Sequence, residues 1–72
     1  MPECNVGLIQ LRKHKNMSQD RLSQLTGFTR QYISRVENGE SEGKREFWLA
    51  VQQVFNIPDD QMWKLYKGEP ID

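Results

Sequence analysis

Few side chains in this sequence could do covalent chemistry. It holds one cysteine, Cys4, and one histidine, His14. They fall near opposite ends of one expected helix and make no nucleophile–base pair. A four-ligand metal site has no further thiolate or imidazole to complete it, so no metal is expected. Asp59 and Asp60 adjoin each other at a helix start, where carboxylates complement the dipole rather than share a proton. There is no glycine-rich phosphate loop. The inventory therefore leads us to expect no enzymatic activity, no cofactor and no small-molecule ligand.

What remains is charge that could hold a polyanion. The formal net charge is +0, but its distribution is uneven. Between residues 10 and 35, Arg12, Lys13, Lys15, Arg21, Arg30 and Arg35 stand against Asp20 alone. From residue 36 onward, Lys44, Arg45, Lys64 and Lys67 are outnumbered by eight carboxylates. A polyanion responds to the local field of the basic half, not to the sum. A merely solvated basic face has the same sequence signature, and charge alone leaves both readings open.

The elements that must position these charges fit one small domain. The chain has 72 residues, 36% hydrophobic and 28% charged, which suits a globule rather than a disordered chain. We expect a single domain over residues 1–72, with a compact core over about 5–66 and a tail over 67–72. A lone cysteine permits no internal disulfide. No apolar run approaches the ~18 residues of a membrane span. The N-terminus lacks the basic and apolar regions of a signal peptide. A cytoplasmic protein without a membrane partner is the expectation.

Capping residues and apolar spacing divide the chain into five short helices. Asn5 caps the first, which carries Leu8 and Leu11 and should stop near Asn16, a residue that tolerates the left-handed conformation. Ser18 caps a second helix over roughly residues 19–25, with Leu22, Leu25 and Thr26 at helical spacing. Gly27 breaks it, Phe28 follows as an anchor, and Thr29 caps a third helix that ends at Asn38-Gly39. Residues 40–43 form a polar linker. A fourth helix over about Lys44 to Phe55 bears Phe47, Trp48, Val51, Val54 and Phe55 as one wide stripe. Asn56-Ile57-Pro58 interrupts it, and Asp59-Asp60 open a fifth helix holding Met62, Trp63, Leu65 and Tyr66. The expected core comprises Leu8, Leu11, Leu22, Phe28, Ile33, Val36, Trp48, Val51 and Phe55.

The third helix can be resolved into faces. At ~100° per residue, Ile33 and Val36 set a core direction, and Gln31 and Arg35 fall almost opposite it. Gln and Arg are the residue types that pair bidentately with adenine and guanine edges in the major groove. Exposed Gln and Arg also occur on any soluble helix, so the face by itself does not decide.

The stretch from Ser18 to Gly39 closely resembles the helix-turn-helix of Cro and cI-type (XRE-like) phage repressors. The matching residues are Ser18-Gln19, Leu22, Gly27, Phe28, Ile33, Val36 and the Glu37-Asn38-Gly39 ending. Arg12 and the Asn56-Ile57-Pro58 junction followed by Met62-Trp63 extend the resemblance to about residues 8–65. It departs at Ser23, where a small apolar residue is usual, and at Thr26, whose hydroxyl should bond back to a helix carbonyl. Glu40 and Glu42 replace basic or neutral linker residues, so linker-to-phosphate contacts do not carry over. Phe47-Trp48 is also unusually aromatic for the fourth helix.

The resemblance implies an all-α, five-helix lambda-repressor-like DNA-binding domain with the helix-turn-helix at helices 2 and 3. It implies a recognition helix over about 29–37, with Arg30, Gln31 and Arg35 contacting bases. Gln19, Thr29, Tyr32, Asn38, Lys44 and Arg45 become candidates for phosphate contact. Arg12 and Glu37 are implied to form a structural ion pair. The expected function is sequence-specific transcriptional regulation, as a bacterial or phage-encoded repressor binding double-stranded DNA. One such domain reads few base pairs, so a homodimer on a palindromic operator is expected. No separate oligomerisation domain is expected, and either Trp63, Leu65 and Tyr66 supply the dimer surface or Trp63 and Leu65 complete the core. Two rival readings use the same fold: a protein-interaction module of the anti-repressor or antitoxin kind, and an excisionase-like architectural DNA binder of a mobile element. Steep salt dependence separates DNA binding from the first rival.

Overall fold

Asn5, Ser18 and Thr29 each open a helix by accepting, through a side-chain oxygen, the amide three residues on. In the computed structural model, which describes residues 4–69, these caps start α1 (Val6–His14), α2 (Gln19–Thr26) and α3 (Arg30–Glu37). Three left-handed residues end elements as their types suggest: Asn16 at φ 53° after α1, Gly27 at 80° after α2 and Gly39 at 82° after α3. α4 (Arg45–Phe55) closes on Asn56, also left-handed. The described residues contain no strand, and the fold is the expected all-α, five-helix arrangement.

The fifth element differs from expectation. Asp59 and Asp60 do not open an α-helix but sit in a 3-10 turn, Asp59–Gln61, ahead of the short α5 (Met62–Tyr66). Gln52 explains part of this. Its side-chain amide donates to the Ile57 carbonyl and to the Asp59 carboxylate, bending the segment back against the end of α4.

The core also differs in membership. Leu8, Leu22, Ile33, Val36, Trp48 and Val51 are buried as expected. Leu11, Phe28 and Phe55 are only partly buried and pack at its margin. Phe47, Ile57, Met62 and Leu65 are buried in addition. Phe47 joins the core because α4 is covered on two sides, whereas Ile57, Met62 and Leu65 come from the segment after α4. Phe47 meets Phe28 and Tyr32 at centroid distances of 5.3 Å, while Trp48 meets Tyr66 at 5.9 Å. Of the two readings for α5, Leu65 takes the core, being fully buried, and cannot serve a dimer surface, while Trp63 and Tyr66 remain exposed.

Asn5 does more than cap. Its amide Nδ2 donates to the Leu65 carbonyl at 2.9 Å, and its backbone N–H donates to the Glu37 carbonyl at 2.8 Å. One buried side chain thereby joins α1 to α5, and its backbone joins α1 to α3. Residues 67–69, expected to begin a tail, instead close the end of α5 through amides returning to Trp63, Lys64 and Leu65. The remaining tail positions, 70–72, lie outside the described residues. The Gly7 amide reaches the Gly68 carbonyl at 3.2 Å, and a Cβ at Gly7 would collide with the Glu69 carbonyl.

Helix propensity alone favours alanine over glycine by about 1 kcal/mol within a helix. At Gly7 the close approach reverses that sign. Gly7→Ala is expected to destabilise the protein by about 1–3 kcal/mol through overpacking, measured by urea denaturation; a stabilised variant would contradict the contact. Asn5→Ser retains a capping oxygen but loses the donor to Leu65. It should cost about 0.5–1.5 kcal/mol in the same assay, the value of one lost hydrogen bond, because the Leu65 carbonyl still accepts the Gly68 amide.

Candidate nucleic-acid interface

The geometry of α2 and α3 is set from beneath by Glu37. This carboxylate, in the last turn of α3, is 3% exposed. Arg12 of α1 donates to it through Nε at 2.7 Å and through Nη2 at 3.1 Å, one bond to each oxygen. Gln19 of α2 adds a third donor through Nε2 at 3.0 Å. The second terminal nitrogen of Arg12 donates to the Met17 carbonyl at 3.0 Å, holding the segment between α1 and α2. The ion pair implied by the resemblance is present, and it is bidentate and charge-assisted. Among the described residues no buried side-chain nitrogen or oxygen lacks a partner.

The turn between α2 and α3 is closed by short side chains. Gly27 has open space around it, so its requirement is the positive φ rather than room. Thr26 donates to the Leu22 carbonyl at 2.8 Å, as expected. Ser23, where a small apolar residue is usual, donates to the Phe28 carbonyl and ties α2 to the turn that leads into α3. Phe28 stacks on Tyr32 at 5.2 Å.

With Ile33 and Val36 buried, Gln31 and Arg35 are exposed on the opposite side of α3. Gln19, Arg30, Gln31, Ser34, Arg35 and Glu40 line one shallow concave surface. Four of the sequence candidates are thus brought together. Arg30 stands at its rim, with Nε 3.9 Å from Asp20; both side chains are well exposed, so this pair adds little stability.

The remaining candidates lie around this surface in different roles. The Thr29 hydroxyl accepts the Tyr32 amide at 3.1 Å as the α3 cap. The Tyr32 ring is half-buried, and its hydroxyl accepts the Lys44 backbone amide at 2.6 Å. Lys44 itself is exposed at the start of α4, whereas Arg45 borders a separate hollow with Glu42, Trp48 and Tyr66. Asn38 is exposed, but the amides beside it are not free. Those of residues 38, 39, 40 and 41 return to carbonyls of Ser34, Val36 and Arg35. Sequence reasoning missed the Gln19–Glu37 contact and the Tyr32–Lys44 bond. Each joins residues 12 or more apart, and no local pattern signals such pairs.

The helix-turn-helix family profile matches residues 8–61, from within α1 to the end of the 3-10 turn. Comparison with curated proteins and with solved structures finds no match.

Removing either Arg12 or Glu37 alone leaves the other charge uncompensated in a largely buried site. Arg12→Ala and Glu37→Ala should each cost roughly 3–5 kcal/mol. The double variant should cost clearly less than the sum, and additive losses in the double-mutant cycle would contradict the coupling.

Proposed function

The chain belongs to the helix-turn-helix family of the Cro and cI type, and from that premise we propose that it is a sequence-specific repressor acting as a homodimer on a palindromic operator. Membership supports a DNA-binding regulator. The observation that carries the finer reading is the outward pair on α3, Gln31 and Arg35, exposed opposite buried Ile33 and Val36. With α3 in the major groove, Gln31 pairs with an adenine edge and Arg35 with a guanine edge. Arg30 reaches bases from the first turn. Gln19 keeps one amide hydrogen beyond its bond to Glu37 and, with Thr29, Tyr32, Asn38, Lys44 and Arg45, contacts phosphate.

One reading helix covers too few base pairs for useful discrimination, which supports two copies about 34 Å apart along the duplex. Trp63 and Tyr66, 48% and 57% exposed on α5, supply the dimer contact in this reading. The repressor role follows the resemblance to phage repressors.

Selection from a random duplex pool, followed by anisotropy titrations over a salt series, tests the proposal. Gln31→Ala and Arg35→Ala should each weaken binding to the selected site by roughly 1–3 kcal/mol and relax preference at one half-site position. Lys44→Ala should weaken binding to all sequences and flatten the salt slope, leaving base preference intact. Unchanged affinity and preference in folded Gln31→Ala and Arg35→Ala would pass the function to a protein-interaction role.

A further inference from the structure

Five of the six residues lining the concave surface beside α3 carry hydrogen-bond donors. Glu40 is the exception, because an ionised carboxylate only accepts. It is not on a swinging loop. After the left-handed turn at Gly39, the Glu40 and Ser41 amides both return to the Arg35 carbonyl, at 2.8 and 3.3 Å. Further along, the Trp48 indole donates to the Glu42 carbonyl at 3.0 Å and fixes the linker to α4. The backbone therefore holds Glu40 beside the last turn of α3. Its side chain is exposed, and the ion pairs among the described residues, Arg12–Glu37 and Arg30–Asp20, do not include it.

An exposed carboxylate whose backbone is held at a surface proposed to face DNA repels phosphate. It also repels the O6 of guanine and the O4 of thymine, which are acceptors in the major groove. A favourable partner for it there is an exocyclic amino group, and the N4 amine of cytosine is the one acidic side chains accept from. We propose that Glu40 is a specificity-determining residue that accepts a hydrogen bond from cytosine N4 at the base pair beside the one read by Arg35. At that position it rejects guanine and thymine. The assignment rests on the DNA-binding reading above. It deepens that reading by one half-site position that the helix alone does not specify.

The test uses the full chain and its Glu40→Ala and Glu40→Gln variants, each selected against a random duplex pool and then titrated on the selected and singly substituted duplexes. Glu40 is exposed, and circular dichroism verifies that both variants fold. Wild type should enrich cytosine at one position per half-site beyond those sensitive to Gln31 and Arg35. Glu40→Ala should lose that discrimination by roughly ten- to hundredfold while the other positions stay unchanged. Glu40→Gln, which adds a donor, should admit guanine or thymine there. Uniformly tighter binding of Glu40→Ala to every duplex, with base preference intact, would overturn the proposal and reduce Glu40 to phosphate repulsion. So would variants indistinguishable from wild type. A wild-type protein that enriches no sequence overturns the sequence-specific reading proposed above, and the Glu40 assignment with it.

Discussion

Glu37 gathers two nitrogens of Arg12 and one of Gln19 at 2.7–3.1 Å while 3% exposed, so the last turn of α3 is locked to α1 and α2 by charge rather than by apolar contact alone. A buried carboxylate is costly to desolvate and repays that only when its oxygens are filled in good geometry. Here they are, and the geometry admits one relative placement of the three helices. An apolar pair of equal volume could have matched the stability. The bidentate pair adds direction to that contact, because each Arg12 nitrogen is aimed at a particular Glu37 oxygen.

Two further constraints act on that frame from its edges. Asn5 brings α5 and the end of α3 onto the start of α1, closing the domain where its described ends meet. On the other side, rings run in contact from Phe28 through Tyr32, Phe47 and Trp48 to Tyr66. Tyr32 belongs to this chain and, through its hydroxyl, also holds the Lys44 amide. The helix-turn-helix, the linker and the start of α4 are thus joined by direct contacts. A surface that reads base edges needs such contacts, since its donors must arrive already in register.

Much of this was legible in the sequence because it is local. Asn5, Ser18 and Thr29 announced three helix starts, and Asn16, Gly27 and Gly39 the stops between them. Helical spacing on α3 separates Ile33 and Val36 from Gln31 and Arg35, and burial follows that division. What escaped was tertiary. Leu65 and Trp63 are both large, apolar and close in sequence, and only packing against α1 decides which is inside. Phe47 and Trp48 are adjacent, and helical periodicity puts such neighbours about 100° apart; both are buried because α4 has neighbours on two sides. Asn5 read as a cap, since its second role lies sixty residues away. The concave surface was visible in its helix residues, but Glu40 joined it only through the turn after Gly39.

The claim on which the rest depends is that the outward face of α3 meets base edges. An NMR titration of isotopically labelled protein with a selected duplex observes that contact residue by residue. The account predicts the largest shifts at Gln31 and Arg35, including the Arg35 side-chain Nε–H, with smaller ones at Gln19 and Lys44 and little change at the Trp63 indole beyond what dimerisation causes. Shifts concentrated on α5, with Gln31 and Arg35 unmoved at saturation, would contradict it.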